Sequence, residues 1–508
     1  MTKYVMAHDI GTTGNKATLY SQEGELVGSA FYGYETYYPQ PGWAEQDPHD
    51  WWRAVCETSK ALIARTGVPP GDVAAVSFSG QMLGCLLVDR SGEPLQRAII
   101  WADMRAERQA AELKERLGMR DVYRITGHRI SSSYSGAKLK WVKEHQPELY
   151  ARAYKLLQAK DYLVYRLTGA MATDYTDACG TNCFDLVGKT WSDDIVRAWE
   201  LDAGLFPEPH ASTDVVGTIH RQAAGQVGLL EGTPVVIGGG DGVCAAAGVG
   251  VIAEGEAFNY VGSSSWVATA SRQPIFDPEM KTYTWVHLDP SLYSPNGTMQ
   301  CGGGSMQWAT RLLFPDAEGR PVYERMNGEA EQSPATAGKL LFLPYLMGER
   351  SPRWNPNARG AFVGLNVTHT RGDMARAVME GIAFNLKIVL DTFRKAGAPI
   401  DHMWILGGGA KSKLWRSIFA DIYGLDIYVP SYLDEATSMG AAMAGGVGGG
   451  LARDFQETKR WVRRVEVHSP DPANSETYRR YFEIFDAAYR QLESIYEQLN
   501  QFGGVLER

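Results

Sequence analysis

Cysteine is scarce in this sequence, with six residues in 508 (Cys56, Cys85, Cys179, Cys183, Cys244 and Cys301) and no CxxC pair among them. A disulfide scaffold and a zinc ribbon are both excluded on that count. The ten histidines form no HExxH and no CxxC…HxxxH pattern, so no zinc site is expected. Long hydrophobic runs are missing too. The longest weakly polar stretch, residues 235–253, carries Asp241 and many glycines, which argues against a membrane helix. An excess of positive charge is likewise absent: 50 Lys and Arg stand against 59 Asp and Glu, for a net charge of −9. A nucleic-acid partner would gain nothing from such a field. Residues 1–12 lack a basic segment followed by an apolar core, so no secretory signal is read there. The expectation is a cytoplasmic protein with reduced, mostly buried thiols and neither a membrane nor a nucleic acid among its partners.

What is present is glycine. The chain has 55, against about 36 at an average usage near 7%. They gather at a few places where backbone must come close to something. At about 150 residues per domain the length allows two to four domains, enough to bury a core without staples. Strand-like runs at residues 4–8, 16–20, 26–34, 73–79 and 84–89 alternate with helical spacing at 48–65, 105–117 and 134–144. That alternation predicts an α/β chain with mixed sheets. Two internal echoes point to duplication. Gly11-Thr12-Thr13, followed after three residues by Ala17-Thr18, resembles Gly262-Ser263-Ser264 followed by Ala268-Thr269, 251 residues later. The apolar run into Gly238-Gly239-Gly240-Asp241, with small residues following at 245–248, resembles the run Ile405-Leu406 into Gly407-Gly408-Gly409-Ala410, with small residues following at 440–446. A duplicated domain follows, with its boundary expected near residues 251–256, dividing the chain into 1–252 and 253–508. Tyr478, Phe482, Phe485, Tyr489, Leu492, Tyr496 and Leu499 recur at helical spacing, as in a long amphipathic helix closing the second half.

The hydroxyl-bearing turns suit phosphate chemistry. A glycine turn with adjacent hydroxyls can aim N–H and Oγ groups at phosphate oxygens, and Asp9, just before the first turn, suits a hydrated Mg²⁺. Taken alone, residues 8–14 are equally a polar hairpin. Gly238–Asp241 places one carboxylate among glycines where a strand gives way to a helix. Asp241 is there either a base for an attacking hydroxyl or an N-cap. The uncharged Gly407–Ala410 turn suits a flat neutral ring or tight strand–helix packing. Neither a GxxxxGK[ST] phosphate loop nor a protein-kinase loop is present.

Four stretches then carry a family resemblance. They are Asp9–Gly14; Pro41-Gly42-Trp43-Ala44-Glu45-Gln46-Asp47-Pro48 with Trp51-Trp52; Ser133-Tyr134-Ser135-Gly136-Ala137-Lys138-Leu139-Lys140-Trp141; and Gly360–Leu365 with Ala375–Gly381. Together and in this order they resemble the FGGY carbohydrate kinases, and within them the xylulokinase-like branch. The resemblance implies a two-domain actin-like ATPase fold of ribonuclease-H-like topology, with ATP and sugar in a central cleft and homodimers common among relatives. It implies Asp241 as catalytic base and Asp9 as the carboxylate that holds Mg²⁺, through water. Thr12, Thr13, Gly262, Ser263, Gly303, Gln307, Gly408 and Gly409 fall at nucleotide positions. Gln81, Met82, Leu83, Trp101 and Asp103 fall where the family binds its polyol or ketose. The implied reaction is ATP-dependent phosphorylation of a terminal hydroxyl on a ketopentose, D-xylulose to D-xylulose 5-phosphate. Gluconate, ribulose, erythritol or glycerol kinase activity, or a non-sugar actin-like ATPase, stand as alternatives. Two departures bear on the sugar. Leu83 stands where xylulokinases usually carry His, and Gly242 where they commonly carry Asn. Losing a hydrogen bond to a required hydroxyl can change selectivity by orders of magnitude.

Overall fold

The computed structural model describes residues 2–315 and 320–502. Two seven-stranded mixed sheets organise it. In the first, β1 (Tyr4–Ile10), β2 (Gly14–Ser21) and β3 (Leu26–Gly33) form an antiparallel meander. β4 (Val73–Gly80) runs parallel to β1, and β5 (Val215–Thr218), β6 (Pro234–Val236) and the short β7 (Gly239–Gly240) complete the sheet. The order is β5-β6-β4-β1-β2-β3, with β7 paired to the far end of β4. β1 and β4 are central and covered on both faces, so their apolar residues run on without alternation. Val5, Met6, Ala7, Ile10, Val73, Ala75, Val76 and Phe78 are all buried. Helix Pro48–Thr66 packs on β2 and β3. Asp47 caps it by accepting the His49 N–H, and Gly67 ends it in the left-handed region at φ 68°, as cap chemistry predicts.

The second sheet contains β8 (Ala257–Val261), β9 (Ser265–Thr269), β10 (Tyr283–Val286), β11 (Tyr293–Met299), β12 (His402–Leu406), β13 (Asp426–Pro430) and β14 (Arg464–His468), in the order β10-β11-β9-β8-β12-β13-β14. β8 pairs antiparallel with β9 and parallel with β12, and β12 is parallel to β13. This repeats β1 with β2, β4 and β6. The first echo therefore marks equivalent hairpins, the β1–β2 turn at Gly11 and the β8–β9 turn at Gly262. The second echo pairs the wrong positions. Gly238–Asp241 follows β6, whose counterpart is β13, whereas Gly407–Ala410 follows β12, whose counterpart is β4. Both triple-glycine turns are glycine-rich because neighbouring chain crowds them. A Cβ on Gly238 would run into the Phe78 carbonyl, and one on Gly407 would lie 2.7 Å from the Val261 oxygen.

The true counterparts are helix Asp241–Gly248 after β6 and helix Ala436–Gly448 after β13. They pack directly on each other, and each also reaches the opposite sheet. Ala245 and Ala246 cluster with Phe258, Ala268 and Leu406, while a Cβ on Gly445 would lie 2.7 Å from Val5 and 2.9 Å from Ser77. The two sheets are thus joined through a pair of small-residue helices at the floor of a cleft. The C-terminal helix spans Pro472–Gln501 with Tyr478, Phe485, Tyr489 and Tyr496 buried. Leu499, expected on the same stripe, is exposed. Among the described residues no helix is long and apolar enough to cross a membrane, and all six cysteines are free and buried.

Candidate active site

Asp9 lies near the end of β1, directly across the β1–β2 register from Lys16. Burial pushes its carboxyl up to about 6, with the Lys16 ammonium opposing. Asp241 is the first residue of its helix. Gly240, with extended backbone, occupies the N-cap position, so the N-cap alternative for Asp241 does not hold. Its carboxylate is open to the cleft, and Oδ1 accepts the Gly242 N–H at 2.7 Å. Enclosure by the cleft walls, followed by the charge of Asp9, raises it from 3.8 to about 7. A carboxylate raised by the charge of a second one favours a cation between the two.

A cavity of about 940 Å³ opens in the second half, at the upper end of the size range of small-molecule sites. Gly262, Ser263, Gly303, Gln307, Gly408 and Gly409, all expected around a nucleotide, line it. Local bonding explains their convergence. The Gly303 N–H donates to the Gly262 carbonyl at 2.6 Å and the Gly304 N–H to the Ser263 carbonyl at 3.0 Å. Helix Gly303–Leu313 therefore begins on the β8–β9 turn, and Gln307 follows one turn along. Tyr260, Val261, Met306, Tyr323, Glu324, Met326, Asn327, Lys411, Ser412 and Trp415 complete the wall, and sequence reasoning missed them. Only Ser412 had a local signal, as the N-cap of helix Lys413–Tyr423; the others converge from separate elements. The cavity adjoins the carboxylates. The phenol of Tyr260 is raised by burial and then by the charges of Asp241 and Asp9. Thr12 and Thr13 do not line this cavity but sit in the opposing β1–β2 turn. There the Thr12 carbonyl accepts from Gln46 Nε2 at 2.7 Å, and the Thr12 hydroxyl accepts from Trp101 Nε1 at 2.9 Å.

The residues expected at the sugar sit on the first-domain side. Gln81, buried after β4, donates through Nε2 to Gln46 Oε1 at 2.7 Å, and its own Oε1 has no protein partner. Met82 packs against Gly240, the residue before Asp241. Leu83 sits at φ 67°, an uncommon region for a non-glycine residue, and its carbonyl accepts from Lys138. Trp101 is 43% exposed, leaving its indole surface to the cleft. The expectation for Asp103 is corrected. It is fully buried, Oδ2 accepts the Ala44 N–H at 2.6 Å and Arg105 Nη2 at 2.7 Å, and Oδ1 accepts the Arg105 N–H and Nε at 2.9 Å. No edge of the carboxylate remains for a substrate. Its work is to hold Arg105, whose guanidinium lies 3.6 Å from the ring centre of Trp43 and 5.0 Å from that of Trp141. Two of the motif stretches meet there. Lys138, missed as a functional residue, donates to the carbonyls of Leu83 (2.9 Å), Ile100 (2.7 Å) and Ser133 (2.6 Å) while fully buried. It ties together the loops that carry the sugar-side candidates.

Comparison with known proteins agrees with this architecture. The model of the FGGY family of carbohydrate kinases, N-terminal domain, matches residues 4–248, and that of the C-terminal domain matches residues 257–449. The xylulose kinase of Bacillus subtilis (strain 168) is 31% identical over 501 residues, covering 98% of this chain and 99% of its own. Among solved structures, the gluconate kinase of Lactobacillus acidophilus superposes with a TM-score of 0.92 at 31% identity, covering 98% of this chain and all of its own. The ligand-bound xylulose kinase from the same organism gives 0.92 at 30% identity with the same coverage. Fold and cleft are those of a two-domain sugar-phosphorylating ATPase. The chain belongs to the FGGY family of carbohydrate kinases and, as such, takes a sugar and ATP as substrates.

Proposed function

We propose that this enzyme phosphorylates the terminal hydroxyl of D-xylulose, forming D-xylulose 5-phosphate, with Asp241 as the general base. The observation that carries the mechanism is the Asp241 carboxylate, open to the cleft near Asp9 and the nucleotide-sized cavity, its pKa raised to about 7. A base with that pKa is about half ionised at neutral pH and accepts a proton readily. The sugar hydroxyl would lose its proton to Asp241 as its oxygen attacks the γ-phosphoryl group. The Ser263 hydroxyl of the β8–β9 turn, in the cavity wall, would donate to the phosphates, and Lys16 would place a positive charge beside Asp9. Positioning and charge neutralisation dominate phosphoryl transfer.

Asp9, with Asp241 opposite, would hold Mg²⁺ through water. The donor set fits: Asp9 and Asp241 offer two neighbouring carboxylates, and Mg²⁺ commonly takes one or two carboxylates, waters and substrate phosphates. When bound, the ion neutralises charge on the phosphates. The domain division proposed near residue 252 is supported by the limits of the two family matches, 248 and 257. A cytoplasmic, reducing setting accords with six unpaired thiols, and a homodimer belongs to the same reading.

Gluconate is the second reading, favoured by Leu83 and Gly242 and by the equal superposition on a gluconate kinase. An ADP-release assay over D-xylulose, D-ribulose, gluconate, erythritol and glycerol decides between them. We expect kcat/KM for D-xylulose to exceed the others at least about tenfold, the scale of one substrate contact. A preference for gluconate would transfer the assignment to that acid.

A further inference from the structure

We infer that Thr176 is a positioning residue for the base, fixing Asp241 through the Gly240 amide. The inference rests on the reading of Asp241 as base. The Asp241 carboxylate accepts from the N–H of its neighbour Gly242, so the backbone just before and after it sets where the oxygens point. On one side Gly239 and Gly240 pair with Ser79 and Gly80 at the end of β4. On the other, the Gly240 N–H donates to Thr176 Oγ1 at 2.7 Å. Thr176 is fully buried and touches neither the cavity nor the carboxylate.

What stands behind Thr176 is unusually rigid. Asp174 caps the short helix Tyr175–Cys179, accepting the Thr176 N–H at 2.9 Å and the Asp177 N–H at 3.2 Å. Ser212 donates to the same carboxylate at 2.8 Å, and the Ser212 carbonyl accepts the Gly238 N–H at 3.0 Å. Beneath them Lys160, with no exposure, lies 2.7 Å from Asp161, 2.8 Å from Asp174 and 3.0 Å from Asp177. Three acids around one buried ammonium are costly to assemble, and breaking such a cluster leaves uncompensated charge. The cluster also abuts Gly80, where an added Cβ would lie 3.0 Å from Lys160 Cβ. One buried polar unit thus anchors the turn that bears the base, and touches the end of the strand that leads to Gln81. Small displacements of a reacting group cost rate out of proportion to their size.

The test is steady-state kinetics on Thr176→Val, which keeps the shape and removes the acceptor, beside Thr176→Ser and Asp241→Asn. We expect kcat to fall about 10–100-fold in T176V with KM for sugar and for ATP within about threefold, and T176S to stay within about threefold of the parent enzyme. A T176V kcat within twofold of the parent, or a T176S loss equal to that of T176V, would overturn the inference. Should Val not fold, Thr176→Cys, close to Ser in size but a weak acceptor, replaces it against T176S under the same criteria. The two readings fail differently. Near-normal turnover in D241N removes the base and the inference with it, whereas an inactive D241N with a fully active T176V sinks the inference alone.

Discussion

Asp241 faces Asp9 inside a cleft that holds both carboxyl groups above their ordinary range. Its own group titrates at 3.8 ordinarily and at about 7 here, so between those values the folded chain binds a proton that the unfolded chain has lost. Stability attributable to this group is therefore greatest at low pH and declines as pH rises toward and through 7. Replacing it with Asn removes both the proposed base and the penalty. D241N should lower kcat about 10²–10⁴-fold, the usual worth of a positioned base. It should also raise the melting temperature of the ligand-free enzyme, more at pH 8 than at pH 5. Kinetics and thermal scans at the two pH values check the pair of effects, and a melting gain that is larger at pH 5 would contradict the titration argument.

Helices Asp241–Gly248 and Ala436–Gly448 follow equivalent strands and cross where both must be thin. A Cβ on Gly248 would drive into the Ala436 carbonyl, and one on Gly440 into the Cys244 carbonyl. Backbone oxygens have no rotamer by which to retreat. Gly440→Val should therefore destabilise the enzyme by about 1–3 kcal/mol or more, the scale of overpacking, visible as a lower melting temperature. A variant that melts with the parent would show that the helices separate easily. This helix pair also explains the misassigned second echo. The small residues at 440–446 do echo those at 245–248, but they belong after β13, not after the Gly407 turn.

Over the whole molecule the net charge of −9 works against an anionic nucleotide, so under the proposed reading local groups would attract it, Lys411 in the cavity wall and Lys16 beside Asp9. The six thiols are another property of the assembled fold. All are buried, and burial pushes Cys56 up to about 11, Cys85 and Cys179 up to about 12, and Cys183, Cys244 and Cys301 upward as well. Thiolate is the reactive form, so a thiol reagent at neutral pH should find almost none in the native enzyme and all six after unfolding in guanidinium. Rapid native labelling of even one would show that a core segment opens locally.

Whatever depends on near neighbours in the chain was legible beforehand. Turn chemistry at Gly11 and Gly262 marked equivalent hairpins, apolar periodicity marked β1, β4 and the helices at 48–66 and 472–501, and carboxylates at strand ends marked Asp9 and Asp241. The clustering of Gly262, Ser263, Gly303, Gln307, Gly408 and Gly409 was implied by the family resemblance, and one cavity does collect them. Other matters depended on which distant groups meet. Asp103 carries the same carboxylate as Asp241, yet Arg105 and the Ala44 amide fill every position around it, and only folding makes that partnership. Lys138 reads as a surface lysine until three loop carbonyls enclose it, and Thr176 as an ordinary helix-start hydroxyl until the Gly240 amide arrives from 64 residues away. The sequence alone determined the α/β class and its duplication, because local backbone preference and hydrophobic pattern are written residue by residue, and the family resemblance singled out the two cleft carboxylates. Tertiary structure decided which polar groups are left free for a substrate and which are consumed in holding the site, because a hydrogen bond is allotted only when both partners are in place.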